Sequence, residues 1–212
     1  MTRFEVLVEG ASDVPVVREV LRRRFKLIEN EHFRIHPHQG KGQLPTNPLA
    51  IPDRNKRQLL YQLPAKLRGY ARSAPDAVVL LVVVDADKTP CKQLLTELNA
   101  MLAQLHPRPA RVLFRLAIEE TESWFIADIA AVQKAFPKAK TAALKKLRPD
   151  PVVGAWERLA EAIGSTGSSG TDKRRWAEQI CPHLDFASPC SPSLEKLISG
   201  VARELGNQPE TS

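Results

Sequence analysis

The sequence predicts an α/β fold: a mainly parallel sheet flanked by helices, with a helical C-terminal part. Three observations predict it. Ala77 to Val84 is an unbroken apolar, β-branched run, as expected of a strand covered on both faces. Strand-like and helix-like periodicities alternate along residues 1–136. Residues 137–212 read instead as helical and irregular. The core is therefore expected over 1–136, with 137–212 packed on it as one compact unit.

Each element can be read in order. Phe4, Val6 and Val8 alternate and the run stops at Glu9-Gly10, which predicts a first strand. Ser12 and Asp13 open a helix, with Pro15 tolerated in its first turn. Val14, Val17, Val20 and Leu21 give it an apolar stripe and a length of roughly four turns. Phe33 to His36 reads as a short second strand closed by Pro37. Residues 37–55, rich in Pro, Gly, Asn and Gln, form a loop long enough to carry function. Leu59, Leu63, Leu67 and Tyr70 recur at helical spacing, and Pro64 either kinks that helix or starts a second one. The run at 77–84 is the third strand. Leu94, Leu95, Leu98, Met101, Leu102 and Leu105 form the next helix, and Ala110 to Ile118 the fourth strand, with IEETESWFIAD continuing as a helix. Gly164 to Thr171 (GSTGSSGT) reads as a flexible loop. In the final helix Ser191 caps, Pro192 takes the first position, and Leu194, Leu197, Ile198, Val201 and Leu205 face inward.

Composition bounds the function classes. The 212 residues suffice for one ample core. No apolar run approaches the ~20 residues of a membrane span, and the N-terminus passes into a strand without a signal-peptide pattern, so no membrane association is expected. Cys91, Cys181 and Cys190 are odd in number and form no CxxC pair, which favours a reduced, cytoplasmic setting. A net charge of +7 favours polyanionic partners such as nucleic acid. Basic residues cluster at Arg22–Lys26, Arg54–Arg57, Lys145–Arg148 and within Asp172–Arg175, although each cluster also reads as a solvated helix face.

The acids carry the chemistry. In an open α/β sheet, ligands bind beyond the carboxyl ends of the strands. The first strand ends at Glu9, the third at Asp85 and Asp87, and the fourth runs into Glu119, Glu120 and Glu122. Brought to one edge, these carboxylates repel unless a cation joins them, and hard oxygen ligands suit Mg²⁺ or Mn²⁺. Asp85 and Asp87, two apart, are expected to share one ion. On a helix Glu119 and Glu122 would share a face and line the site, leaving Glu120 open. An Asp after a strand also serves as an ordinary helix cap, and acids suit a helix's first turn. The loop HPHQGKG is expected to cover the site, with Lys41 on phosphate, Gly40 and Gly42 admitting close backbone approach, and His38 nearby. Lys88 either pairs with Asp85 or Asp87 or contacts substrate. His36 and His38 lack further ligands at zinc spacing. Trp124, Trp156 and Trp176 read as packing residues.

These residues resemble a known family. VEGASD after the first strand and VVDAD after a later one resemble the Toprim domain, shared by topoisomerases, bacterial primases and nucleases of the overcoming-lysogenization-defect type. Glu9, Asp85 and Asp87 match the acids that bind Mg²⁺ there for phosphodiester chemistry. More closely, IHPHQGKG, LPAKLRGYAR, VVVDADKTPCKQL, RLAIEETESWFIAD and ICPHLD are similar to a group of uncharacterised Toprim-related bacterial proteins. Such proteins tend to be encoded near ATPases in mobile or phage-defence loci. The resemblance implies a Toprim-like (Rossmann-like) fold and a Mg²⁺-dependent nuclease, with Glu9, Asp85 and Asp87 catalytic and Glu119 or Glu122 holding a second ion.

Rival readings fit less well. A topoisomerase needs a nucleophilic tyrosine, and the two tyrosines, Tyr61 and Tyr70, fall on a helix. A primase needs parts that this sequence lacks, and a DxD glycosyltransferase leaves VEG without a role. No GxxxxGK[ST] is present. The remaining alternative is a non-catalytic, metal-binding interaction module that partners an ATPase.

Overall fold

A computed structural model describes residues 3–74, 78–147, 150, 152–167 and 169–206. Four strands, β1 (Arg3–Val8), β2 (Phe33–Pro37), β3 (Val78–Asp85) and β4 (Val112–Ala117), form one sheet in the order β2-β1-β3-β4. Every neighbouring pair is parallel. The helices are α1 (Val14–Glu19), α2 (Leu59–Ser73), α3 (Cys91–Ala103), α4 (Glu122–Ala127), α5 (Ile129–Ala135), α6 (Ala155–Ile163), α7 (Gly170–Ile180) and α8 (Pro192–Glu204).

The strands alternate their side chains between two cores. Phe4, Val6, Val8, Val79, Leu81, Val83, Leu113 and Ala117 face one side and pack with α1, α4–α8 and the segments between them. Leu7, Val78, Leu80, Val82, Val84, Phe114 and Leu116 face the other and pack against α2 and α3. β3 lies in the middle and is apolar on both faces, which is why its sequence does not alternate. The first core also contains Trp176, Ile180, Leu194, Leu197 and Val201, so helices beyond residue 136 pack on the sheet.

Several expectations need correction. α1 spans six residues and passes into a π-helical stretch, Val20–Arg24, so the first helical segment is nearer three turns than four. α2 is one helix with Pro64 inside it, which resolves the choice left open by the sequence. The fourth strand is shorter than 110–118. The helix after it begins only at Glu122: Glu119 adopts a left-handed φ of 66°, breaking any helical register between the two. The ends of the Gly/Ser stretch are built into helices. Gly164 ends α6 in a left-handed conformation, and Ser169 starts α7 through a reciprocal cap with Asp172. Arg148 and Ser168 lie outside the described residues, as does Ala77. Ser191 caps α8 as expected, its Oγ accepting from Leu194 N–H at 3.3 Å. No described helix is long and apolar enough to cross a membrane.

Candidate active site

Strand register builds the site. β1 pairs Val8 with Val83 of β3, so the chain leaves β1 at Glu9 just as β3 reaches Asp85. Glu9 Oε1 accepts the Asp85 backbone N–H at 2.7 Å. Asp13, 4% exposed, lies beneath them at the start of α1. It does not cap that helix in the usual way. Its Oδ2 accepts the Gly10 N–H at 2.9 Å and its Oδ1 accepts the Thr121 hydroxyl at 3.0 Å. Glu122 is buried beside Thr121.

Five acids share one electrostatic field here. Burial and then repulsion from Asp13, Glu9, Glu122 and Glu120 hold the Asp85 carboxyl well above its ordinary range. Burial, followed by Asp13, pushes Glu9 up to about 8 against the opposing bond from Asp85 N–H. Burial raises Glu122 to about 7, with Glu120 and Asp13 adding to it. Asp13 is raised by burial, against its bonds from Gly10 and Thr121.

Two lysines counter this charge. Lys41 Nζ lies 2.8 Å from Asp87 Oδ2, and its field also lowers Glu9. Lys173 Nζ, from α7, lies 3.2 Å from Glu120 Oε1, and its field lowers Asp13 and Glu122. The Lys173 ammonium sits 4.8 Å above the Trp156 ring, and the Trp156 backbone N–H donates to Glu120 Oε2 at 3.3 Å. Trp156 therefore stands beside the site as well as packing α6.

The predicted residues separate into those the fold gathers and those it leaves apart. Glu9, Asp85 and Glu122 are gathered; Glu120, left open by the sequence, is within their field. Asp87 and Asp85 do not face one point: Asp87 takes a left-handed φ of 47°, and its side chain is 55% exposed and turned to Lys41. Glu119 offers its backbone carbonyl, which accepts the Asp87 N–H at 3.1 Å. The expected face shared by Glu119 and Glu122 does not exist, because the left-handed Glu119 precedes the helix. Lys88 is exposed, and the partner of Asp87 is Lys41. His38 lies against the strand end with Nδ1 2.9 Å from the Val8 carbonyl oxygen, and burial lowers its pKa, favouring the neutral ring. His36 is 2.6 Å from Glu5 Oε2, below the acid cluster.

The loop carrying Lys41 is clamped by backbone bonds. Gly40 N–H donates to the Glu9 carbonyl at 2.9 Å, while Leu59 and Leu60 at the start of α2 donate to the Gly40 and Lys41 carbonyls. Gly42 has a φ of +65°, and a Cβ there would meet Gln58 Cβ at 2.5 Å. Asp13, Thr121 and Lys173 were not singled out from sequence as site residues. Asp13 reads locally as a helix start, and Lys173 as part of a solvated basic run. The one available signal was a second acid four residues beyond Glu9.

The donor set is chemically suited to a hard divalent cation: buried carboxylate oxygens that repel one another. Among the described residues, no three acid, imidazole or thiol groups are already placed to hold a metal ion. Binding one therefore needs a side-chain rearrangement, such as Asp87 leaving Lys41 or Glu9 leaving the Asp85 amide.

A family model for a domain of unknown function, DUF4276, matches residues 8–202. The chain belongs to DUF4276. Among solved structures, this DUF4276 chain resembles the C-terminal region of the Burkholderia pseudomallei OLD protein, at 13% identity and a TM-score of 0.51, covering 97% of this chain and 98% of that one. The C-terminal region of the Xanthomonas campestris pv. campestris OLD protein gives 14% identity and a TM-score of 0.49 over 97% and 98% of the two chains. The likeness to the Burkholderia region lies in the fold alone. The four-stranded parallel sheet flanked by helices is the α/β class that the sequence predicts. A comparison with curated proteins gave no match.

Proposed function

We propose that this DUF4276 protein hydrolyses phosphodiester bonds in DNA or RNA with Mg²⁺ or Mn²⁺. The observation that carries the reading is Glu9 bonded to the Asp85 amide at adjacent parallel strand ends, inside a field of Asp13, Glu120 and Glu122. Likeness in fold to the OLD C-terminal region supports it. Asp85 and Glu9 would hold the ion, joined by Asp87 once it leaves Lys41, with Glu122 and Glu120 the acids for a second one; Glu119 serves through its backbone. A divalent ion bound there would polarise a phosphoryl oxygen and offset the charge that builds on it. Lys41, freed from Asp87, is within the site to pair with phosphate. Glu9, with a carboxyl raised to about 8, is poised to hold or release a proton at Oε2 near neutral pH. The same proposal extends to the setting: a role in phage defence or mobile-element maintenance beside an ATPase, as the resemblance implies, and a cytoplasmic location, as the three cysteines, odd in number and without a CxxC pair, suggest.

The test is cleavage of DNA and RNA by the purified chain with Mg²⁺ or Mn²⁺, alone and with an ATPase encoded beside it. Activity that needs the metal and disappears in Asp85→Ala supports the reading. Absence of metal-dependent cleavage under every condition overturns it.

One observation favours a second reading, a non-catalytic module. Lys41 and Lys173 already neutralise Asp87 and Glu120. Calorimetry separates the two: Mg²⁺ binding that is lost in Asp85→Ala, without cleavage of any substrate, would identify the module.

A further inference from the structure

β4 is the end strand of the sheet and pairs with β3 alone among the described strands. The Arg111 and Ala117 carbonyls accept from Leu80 and Ala86, so the alternate residues Val112, Phe114 and Leu116 turn their peptide groups away from β3. A strand edge of this kind is a template for pairing unless something covers or guards it.

What lies beyond this edge is a half-open groove of about 320 Å³. Its floor is Phe114 and Leu116 of β4. One wall is α3, through Leu95 and Cys91; the other is α8, through Lys196 and Arg203. The walls belong to opposite faces of the sheet, because Phe114 and Leu116 pack with α3 while Leu113 and Ala117 pack with α8. The groove thus lies between the two helices, beyond the β4 edge. Three cations line it, Arg115, Lys196 and Arg203, and no acid. Arg115 is spent on carbonyls, donating to Lys196 O at 2.8 Å and Phe114 O at 2.7 Å, so it narrows the slot and brings positive charge to its α8 side. Glu204, whose field reaches Arg115, is itself bonded to Arg111 at 2.8 Å.

We infer that this groove accepts an extended segment of a partner protein as a fifth strand, with acidic side chains facing α8 alternating with apolar ones facing α3. Period-two alternation follows from strand geometry: successive side chains of an added strand point to opposite sheet faces. One face meets Leu95, Phe114 and Leu116, and the other meets Lys196 and Arg203. Arg115 already occupies the Phe114 carbonyl, so main-chain bonds to the other outward groups of Val112, Phe114 and Leu116 supply affinity, and the two unlike walls supply specificity. The slot is distinct from the acid cluster, so the inference stands whether or not the chain cleaves nucleic acid.

The test uses the full chain and a fluorescein-labelled peptide of alternating Glu and Val, read by anisotropy. Binding is expected, with at least about a tenfold loss when Lys196→Glu and Arg203→Glu are combined. A peptide with the same residues in two blocks is expected not to bind. N-methylation of alternate amides is expected to abolish binding for one set and spare it for the other, because only one set faces β4. Thermal melting verifies that the charge-reversed variant, altered at two exposed positions, remains folded. Absence of binding, equal binding of the block peptide, or indifference to both methylation patterns overturns the inference. So does wild-type protein that pairs with itself through this edge in sedimentation velocity. If the wild-type protein binds no peptide and only the charge-reversed variant self-associates, the inference is overturned and the cations are guards of the edge.

Discussion

At the scale of single residues, the site is a set of acids brought closer than their charges favour. Asp85 is held among four other carboxyls. Removing its charge therefore relieves repulsion while deleting the proposed ligand. Asp85→Asn is expected to gain about 1 kcal/mol of stability, a rise of ~2–4 °C in Tm, and to lose ~10²–10³-fold in cleavage. Calorimetry and a cleavage assay on one preparation check both halves; a destabilised variant would contradict the repulsion. The pH dependence follows from the same crowding. A raised carboxyl holds its proton in the folded chain at pH values where the unfolded chain has released it. Glu9 moves from 4.5 to about 8, and Glu122 from 4.5 to about 7. Their contribution to stability is complete below about pH 4.5 and is lost as pH rises through 7 to 8. In EDTA, Tm is expected to fall across that window, more weakly in Glu9→Gln. Mg²⁺ is expected to raise Tm more at the alkaline end than at the acid end, because it binds the ionised carboxylates. A magnesium effect independent of pH would place the ion elsewhere. Glu9 and Asp85 were legible in the sequence because each follows a strand. Asp13 and Lys173 were not, because their roles depend on contacts with residues such as Thr121 and Glu120, far away in sequence.

At the scale of elements, periodicity located all four strands and the long helices, while special backbone geometry escaped it. The left-handed turns at Asp87 and Glu119 decide where two acids point, and neither residue type announces φ above zero. Glycine does so more openly. Gly42 has a φ of +65° and no room for a Cβ beside Gln58, at the point where the Lys41 loop enters α2. Gly42→Ala is expected to cost ~2 kcal/mol, combining the left-handed penalty with the clash, and to weaken whatever Lys41 does at the site. Gly69, within α2, has nothing within 4 Å of a built Cβ. Gly69→Ala is expected to stabilise by ~0.5–1 kcal/mol. Denaturant melts of the pair check the sign: two changes of like chemistry, opposite in direction, separated by backbone conformation.

At the scale of the molecule, the question is whether the α/β part can stand without the helices that follow it. The sequence pattern places the strands before residue 136 and gives no measure of how much of their surface the later helices cover. The packing does. Trp176 and Ile180 of α7 and Leu194, Leu197 and Val201 of α8 are buried in the same core as Phe4, Val17 and Leu113. α8 packs on β4 and α7 on α1. Each of these five side chains contributes ~1.5–3 kcal/mol by burial, together on the order of 10 kcal/mol, comparable to the ~5–15 kcal/mol that separates a folded domain from its unfolded chain. Lys173 would go too, leaving Asp13, Glu120 and Glu122 without their nearby cation. A fragment ending at residue 136 is therefore expected to lose cooperative thermal unfolding and to expose apolar surface that binds a hydrophobic dye, and added Mg²⁺ is not expected to restore it. A fragment that melted cooperatively, close to the full chain, would show that the sheet is stabilised chiefly by α2 and α3. The later helices would then be an appended layer whose contribution to the site is Lys173 and Trp156.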